Sequence, residues 1–198
     1  MVSEPAFATT GPPGDEALLV RFASGERSAL DELFQRYRLL AYRVAFRLLG
    51  NEADALDAVQ EGFVKALTHL DGFQGRSSFK TWLLRIVSNA ALDLGRQRRR
   101  RDLLSLDPVA ARDADIPLPA TAPEPGRELE HQDLRQLLDA ALESLPEAQR
   151  RTFVLHVDGE LSYREVADVL GISIGTVMSR LFYARQKLRG LLAAQANV

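Results

Sequence analysis

The sequence contains no cysteine, and this absence excludes disulfide bonds, thiolate metal sites and cysteine nucleophiles. Its three histidines, His69, His131 and His156, lie far apart in sequence and lack the spacing of metal ligands. No nucleophile–base pair and no phosphate-binding loop is recognisable among the other residues. The sequence therefore predicts a protein that is not an enzyme and that holds no cofactor and no metal.

Long apolar runs are also missing, since none approaches the roughly 20 residues that a bilayer-spanning helix needs. The N-terminus, MVSEPAFATTGPPGDE, lacks the basic start and apolar core of a secretory signal. We therefore expect a cytoplasmic protein without membrane insertion. Strand signals are scarce, because β-branched residues fall within helical periodicity and no Asn-Gly or Asp-Gly turn joins two alternating runs. The 198 residues are predicted to form an all-α fold of one or two small domains.

Negative charge is nearly absent from residues 74–101, where eight bases accompany the single acid Asp93 in a chain of net charge −2. So basic a patch in an acidic protein indicates a polyanionic partner such as nucleic acid. Apolar residues at helical spacing predict one helix over Phe79–Arg101, which contains the only tryptophan, Trp82. A solvated amphipathic helix whose basic end suits the helix dipole is the alternative. This stretch alone leaves both interpretations open.

Helical periodicity predicts four helices in the first half of the chain, at about 15–23, 28–49, 52–70 and 79–101. Asn51 is predicted to cap the third helix. The larger apolar residues of that helix are expected to face the core: Leu56, Val59, Phe63, Val64 and Leu67. Its acids Asp54, Asp57 and Glu61 form one edge, and such an edge is usually only solvated. Gly95 is expected to fray or bend the fourth helix, because glycine costs about 1 kcal/mol in a helix interior.

Residues 102–130 differ in composition from the rest, with five of the nine prolines and with seven acids against two bases. This composition predicts a flexible acidic linker, which would reach about 100 Å if fully extended. The chain is therefore expected to have a disordered lead-in at 1–14 and two domains, 15–101 and 131–192, that can move apart.

The second domain is predicted to contain a helix-turn-helix. Ser162 and Glu165 form a capping-box pattern before a short helix, Gly171 opens a three-residue turn, and a longer helix follows from Ile174 to about Leu192. A similar start signal occurs at Ser144–Glu147. The early part of the last helix carries side chains suited to base edges and phosphates: Ser173, Thr176, Ser179, Arg180 and Arg185. An ordinary helical hairpin is the alternative, but caps, turn and charge together favour DNA binding.

Taken together, the two halves resemble a known family, the extracytoplasmic-function sigma factors of bacterial RNA polymerase. The motifs that carry the resemblance occur in family order on the two sides of the predicted linker. They are Asp57-Ala58-Val59-Gln60-Glu61-Gly62-Phe63, Phe79-Lys80-Thr81-Trp82-Leu83, Asn89 to Asp93, Leu145-Pro146, Gly175-Thr176-Val177 and Ser179-Arg180-Leu181. Two departures from the family pattern are Leu56, where an acid is usual, and Met178, where a lysine is common.

The resemblance implies that residues 15–101 are sigma region 2 and residues 131–192 are sigma region 4. Region 2 is then expected to dock on the clamp helices of the largest polymerase subunit through Asp54, Asp57, Gln60 and Glu61. It is also expected to bind the minus-ten element through Phe73, Lys80, Trp82, Arg85, Asn89, Arg96, Arg98 and Arg99. Region 4 is expected to bind the minus-thirty-five element as duplex DNA through Ser173, Thr176, Ser179, Arg180 and Arg185.

The first hypothesis is therefore an initiation factor that binds core RNA polymerase, directs it to promoter DNA and assists melting, under the control of a cognate anti-sigma factor. The second hypothesis is a stand-alone helix-turn-helix regulator, which needs neither the basic stretch nor the acidic helix. A helical adaptor for an acidic protein is the third, and the Ser/Thr-rich start of the last helix argues against it.

Overall fold

The computed structural model describes residues 13–104 and 137–195. The chain divides into two compact units, residues 1–37 and 38–198. Most of the predicted lead-in and of the predicted linker lies outside the described ranges. Every regular element within those ranges is helical, so the all-α prediction is confirmed.

The first unit contains α1 (Asp15–Ala23) and the beginning of α2 (Ser28–Leu49). Asp15 joins the two helices, because its carboxylate accepts a 2.6 Å hydrogen bond from Arg36 and another from the hydroxyl of Tyr37. Burial and the bond to Asp15 raise the pKa of the Tyr37 phenol. The predicted bounds of both helices are confirmed.

The second unit contains the rest of α2, then α3 (Glu52–Thr68), a 3₁₀ turn (Leu70–Gly72) and α4 (Phe79–Leu104). Asn51 caps α3 as predicted, because its side-chain oxygen accepts a 2.8 Å hydrogen bond from the backbone N–H of Asp54. This cap sets the start of α3.

Small residues of α3 pack against α4. The buried residues of α3 are Ala55, Ala58, Gly62 and Ala66. The approach is closest at Gly62, where an added Cβ would lie only 2.7 Å from Cγ2 of Val87. The expectation that the larger apolar residues face this core is wrong for Leu56, Val64 and Leu67, because helices this close leave no room for them. These three are 52%, 53% and 44% exposed, whereas Val59 and Phe63 are partly buried.

The helix α4 continues past Gly95 to Leu104, so the expected fraying is wrong. The missing side chain makes room for a neighbour, since an added Cβ at Gly95 would lie 3.3 Å from Cδ2 of Leu49. Arg98 further anchors the last turns of α4 by donating a 2.8 Å hydrogen bond to Asp54. The first residues of the predicted linker are therefore helical.

Four helices form the C-terminal part of the second unit. They are α5 at 137–143, α6 (Glu147–Val157), α7 (Tyr163–Leu170) and α8 (Ile174–Gln195). One buried cluster joins α5 and the loop after it to α8 and consists of Ala141, Leu142, Leu145, Ala184 and Leu188, with Phe153 of α6 packed against it. Gly171 ends α7 with a φ of +65°, which glycine adopts at little cost, and so directs the chain into α8. The predicted helix-turn-helix is present.

One of the two predicted capping boxes is confirmed. The carboxylate of Glu165 accepts a 2.9 Å hydrogen bond from the N–H of Ser162, whose hydroxyl accepts one of 3.3 Å from the N–H of Glu165. The capping box predicted at Ser144–Glu147 is wrong. In a capping box the glutamate is the third helical residue, and its side chain reaches back to the N-cap. Here Pro146 occupies the N-cap position of α6, so Glu147 is the first helical residue.

The α3–α4 contact gives a stability prediction. Gly62→Ala is expected to lower the free energy of unfolding by about 1–3 kcal/mol, because the added methyl group overpacks the contact. Urea unfolding followed by circular dichroism measures the change. Gly190→Ala on α8 is the control, since no atom lies within 4 Å of its added Cβ. Gly190→Ala should be as stable as the wild type or up to about 1 kcal/mol more stable. A Gly62→Ala variant as stable as the wild type would contradict the tight contact.

Candidate protein and nucleic-acid interfaces

The outward side of α3 combines apolar and acidic side chains. We call it the α3 outer face; its exposed residues are Leu56, Asp57, Gln60, Glu61, Val64 and Leu67. Three of the four predicted polymerase-binding residues, Asp57, Gln60 and Glu61, therefore share one helix face. Glu61 pairs with Lys65 at 2.5 Å, but both side chains are nearly half exposed, and such pairs contribute little. An exposed apolar row with a charged edge is typical of a protein-docking surface.

Asp54, the fourth predicted polymerase-binding residue, lies at the edge of this face in the first turn of α3 and is partly buried. Its carboxylate accepts 2.8 Å hydrogen bonds from the side-chain amide of Asn51 and from Arg98. Arg98 is itself a predicted minus-ten residue. Two side chains expected to bind different partners thus pair with each other and tie the end of α4 to the start of α3.

Three aromatic rings cluster where the loop before α4 meets its first turn. Phe73 and Trp82 have ring centroids 5.2 Å apart, and both contact Phe79, at 6.1 and 5.8 Å. Phe79 is buried, whereas Phe73 and Trp82 are only partly buried. The two predicted base-binding aromatics therefore lie together on a buried third ring, with part of each ring open to solvent.

The C-terminal helices cover another side of α4, which we call the second face of α4. It includes Lys80, Thr81, Leu84, Arg85, Ser88, Asn89, Arg96 and Arg99. Thr81 and Ser88 have no exposed surface at all. The groups of α6, α7 and the loop between them that cover it form what we call the C-terminal docking face. They are Glu147, Arg151, Glu160, Glu165 and Asp168.

Backbone carbonyls of the C-terminal docking face accept hydrogen bonds from two predicted minus-ten cations. Lys80 Nζ donates to the carbonyl of Glu160 at 2.9 Å. Arg85 donates to the carbonyl of Asp168. Both cations are thus oriented towards oxygen atoms of the protein, the type of acceptor that a phosphate group also offers.

A carboxylate of the same docking face binds two more of the predicted cations. Arg96 and Arg99 donate to the two oxygens of Glu147 at 2.7 and 2.9 Å. The hydrogen bond from Arg96 lowers the pKa of the Glu147 carboxyl and raises that of the Arg96 guanidinium. Glu147 and Arg96 thus stabilise each other's charged forms.

Sequence reasoning missed several polar residues of this contact. Thr81 donates a 2.8 Å hydrogen bond to Glu165, which also closes the capping box of α7. Arg151 donates to Ser88 at 3.2 Å and to the side-chain oxygen of Asn89. The sequence does contain a pattern that indicates a second contact face on α4. Thr81 and Ser88 are short polar residues seven positions apart, so they lie on one side of the helix, away from its apolar stripe. Nothing in the sequence identified Arg151.

The start of α8 presents the residues predicted for the minus-thirty-five element. The hydroxyl of Ser173 accepts a 3.1 Å hydrogen bond from the N–H of Thr176 and so caps α8. Ser179 donates to the carbonyl of Thr176 at 3.0 Å. Ser173, Ser179 and Arg185 are exposed, whereas Thr176 and Arg180 are partly buried. The predicted residues thus extend from the cap of α8 into its fourth turn.

Over residues 13–104 and 137–195, no group of three or more His, Asp or Glu side chains could hold a metal ion. No single helix in these ranges is long and apolar enough to cross a membrane, and α7 with α8 reaches that threshold only as a pair bent by 104°.

Comparison with family models identifies two segments of the chain. Residues 33–101 match Sigma-70 region 2, and residues 135–188 match Sigma-70, region 4. The ECF RNA polymerase sigma factor SigE of Mycolicibacterium smegmatis is 36% identical over 190 residues, 93% of this chain and 72% of that protein. The ECF RNA polymerase sigma-E factor of Escherichia coli K12 is 34% identical over 176 residues, 88% of this chain and 92% of that protein.

Solved structures show the same fold. CnrH, in complex with the cytosolic domain of CnrY, matches with a TM-score of 0.67 and 30% identity, over 91% of this chain and 97% of CnrH. The sigma factor RpoE from Bartonella quintana, in complex with the anti-sigma factor NepR, matches with a TM-score of 0.64 and 27% identity. That match covers 82% of this chain and 97% of RpoE.

The position of Asp54 leads to a prediction that separates it from the other acids of α3. Asp54→Ala is expected to lower the free energy of unfolding by about 1 kcal/mol, because it removes the partly buried pair with Arg98 and the hydrogen bond that the Asp54 carboxylate accepts from Asn51. Asp57→Ala, on the exposed α3 outer face, should change stability by less than about 0.5 kcal/mol. Chemical unfolding of both variants, with circular dichroism as the readout, measures the difference. A larger loss for Asp57→Ala would contradict the assignment.

Proposed function

The chain belongs to the extracytoplasmic-function sigma factors of bacterial RNA polymerase, and from this membership we propose which of its surfaces bind polymerase and which bind DNA. It is a transcription initiation factor that binds core RNA polymerase and promoter DNA. We assign the region 2 role to residues 15–101 and the region 4 role to residues 131–192. Acting with polymerase places the protein in the cytoplasm, and binding alone performs this role, so no catalytic chemistry of its own is required.

The α3 outer face is the observation on which this proposal rests, because a stand-alone repressor needs no such protein-docking surface. Leu56, Val64 and Leu67 are exposed beside Asp57 and Glu61. An apolar row with acids along one edge suits a basic, amphipathic helical partner. We propose the clamp helices of the largest polymerase subunit as that partner. Leu56, which departs from the acid usual in the family, adds apolar area to the surface.

The aromatic cluster and the second face of α4 are proposed to bind the melted minus-ten strand. Extracting a base from the stack costs a few kcal/mol, and stacking on an aromatic ring returns about 1–3 kcal/mol per base. Phe73 and Trp82 offer the partly open rings for this contact. Lys80, Arg85 and Arg96 are proposed to hold the strand backbone as counterions. Arg98 is proposed as a positioning residue, since it pairs with Asp54.

Helix α8 is proposed to read the minus-thirty-five element in the major groove. Its first turns offer Ser173, Ser179 and Arg180 for base edges and phosphates, which is the arrangement of a recognition helix. Met178, where the family usually has lysine, is 55% exposed on the same helix. An apolar side chain there suits contact with a thymine methyl group and replaces a phosphate contact.

An inhibitory protein partner is also proposed. The matched RpoE structure contains the anti-sigma factor NepR, and this chain is 27% identical to that RpoE. We propose that a partner of the same kind binds this chain and restricts its access to polymerase.

Run-off transcription tests the function directly. Core polymerase with this protein should initiate at specific sites on bacterial genomic promoter fragments, and core polymerase alone should not. Operator binding by the protein alone, with no association with core polymerase on gel filtration, would instead support the stand-alone regulator.

A variant of the α3 outer face tests the polymerase contact. Val64→Glu is expected to weaken binding to core polymerase by about tenfold or more, because it places a charge at the centre of an apolar contact. Val20→Glu is the matched control, since Val20 lies on α1 and is 69% exposed. Titration of labelled protein with core polymerase measures both affinities. Equal affinities would remove α3 from the polymerase interface.

A second pair of variants tests the recognition helix. Arg180→Ala is expected to weaken promoter binding by the complex with polymerase by about tenfold, the loss typical of one good base contact. Arg189→Ala removes the same charge from the exposed end of α8 and should have less effect. Fluorescence anisotropy with duplex promoter DNA measures both, and binding of core polymerase should be unchanged in each. A greater loss for Arg189→Ala would contradict the assignment.

A further inference from the structure

The outward side of α8 carries two aromatic residues that the predicted DNA-binding set does not include. The buried side of the helix consists of Val177, Leu181, Ala184 and Leu188. Phe182 and Tyr183 lie on the opposite side and are 63% and 56% exposed. Met178, one turn earlier, is 55% exposed and completes what we call the α8 patch. Among the Phe, Tyr and Trp residues of the described ranges, only Phe182 and Tyr183 are exposed.

The two rings of the α8 patch order each other. Their centroids are 5.4 Å apart and their planes meet at 77°, which is the edge-to-face arrangement that aromatic pairs favour. Apolar residues exposed singly are common on protein surfaces, whereas a contiguous apolar patch is typical of a binding surface. Rings that are already ordered by mutual contact lose little conformational entropy when a partner binds. The α8 patch is therefore suited to a direct contact.

The α8 patch continues the surface proposed for the minus-thirty-five element. Ser179 precedes Phe182 by three residues and Tyr183 by four, so all three side chains lie together on one side of the helix. Ser179 is exposed and is one of the residues proposed for base edges. A helix that places Ser179 in the major groove therefore brings the two rings to the neighbouring base pairs.

Cations border the α8 patch on both sides, and α8 contains no acid. At about 3.6 residues per turn, Arg185 lies along one border of the outward side and Arg180 along the other. A helix in the major groove, which is about 12 Å wide, meets base edges along its middle and a phosphate backbone on either side. Long arginine side chains at the borders reach both. A neutral centre between cationic borders thus fits duplex DNA.

The chemistry of the α8 patch selects one base pair. The C5-methyl of thymine is the apolar group that base edges offer in the major groove, whereas guanine is most often read by Arg or Lys. Neither Arg nor Lys belongs to the patch. We infer that Phe182 and Tyr183 are specificity-determining residues, which with Met178 select T·A pairs of the minus-thirty-five element by contact with thymine methyl groups. This inference rests on the proposed role of α8 in reading that element.

Replacement of thymine by deoxyuridine tests the methyl contact, because it removes only the methyl group and leaves base pairing intact. A promoter at which core polymerase with this protein initiates in run-off transcription supplies the duplex. Each thymine of its minus-thirty-five element is replaced in turn, and fluorescence anisotropy measures binding of the complex. Uracil at one or more positions should weaken binding by about fourfold, the effect of one buried methyl group. An element without a T·A pair, or one in which uracil never changes the affinity, would overturn the inference.

Truncation of the rings identifies the side chains that contact the methyl groups. Phe182→Ala and Tyr183→Ala change exposed helix positions, where alanine is the best helix former, so both variants should fold. Each should bind the thymine duplex more weakly and lose the fourfold preference for thymine over uracil at the pair that it contacts. Tyr183→Phe removes only the hydroxyl and should keep the preference. Leu191→Ala removes a 37% exposed apolar side chain about two turns further along α8 and should keep it too.

The outcomes separate this inference from the proposed function. Alanine variants that bind both duplexes like the wild type would leave the rings for a protein partner and overturn the inference. Variants that weaken binding to both duplexes equally would also overturn it, because the contact would then not involve the methyl group. In either case specific initiation by the wild type would leave the proposed function standing. Absence of specific initiation in run-off transcription would instead contradict the proposed function, and this inference with it.

Discussion

The close packing of α3 on α4 is the contact on which the rest of the described structure depends. Gly62 and three alanines let α3 approach Val87 without an intervening side chain. This close approach forces the larger apolar residues of α3 outward, where they form the surface proposed for polymerase. The side of α4 away from α3 is left for the C-terminal helices and, by our proposal, for the minus-ten strand. One glycine-centred contact thus orients both surfaces.

Most of the helices were predictable from sequence, because helix spacing and caps are local properties. Asn51 and the Ser162–Glu165 box illustrate this, as each acts within four residues. The orientation of α3 was predicted wrongly, because periodicity ranks side chains by hydrophobicity and gives small residues little weight. The prediction for Gly95 failed for a related reason. The absence of a side chain at Gly95 makes room for Leu49, which is distant in sequence, and local helix propensity does not include that contact.

The candidate site was predictable in composition but not in arrangement. The family resemblance named the basic residues of α4, and the structure places five of the minus-ten residues against the C-terminal helices. Asp54 of α3 pairs with Arg98 of α4, although sequence reasoning had assigned Asp54 to polymerase and Arg98 to DNA. Ion pairs between distant segments leave no local pattern, so such partners emerge only from the fold. The residues assigned to the minus-ten strand are thus also partners of the C-terminal helices in this structure.

The central claim is that core polymerase covers the α3 outer face. Because the sequence has no cysteine, the thiol of Val64→Cys on this face can be labelled alone, and its rate of modification by a maleimide, with and without core polymerase, tests the claim most directly. The account predicts that core polymerase slows labelling at position 64 and leaves labelling of Val20→Cys on α1 unchanged. Equal labelling of Val64→Cys in the free chain and in complexes that initiate transcription would contradict it.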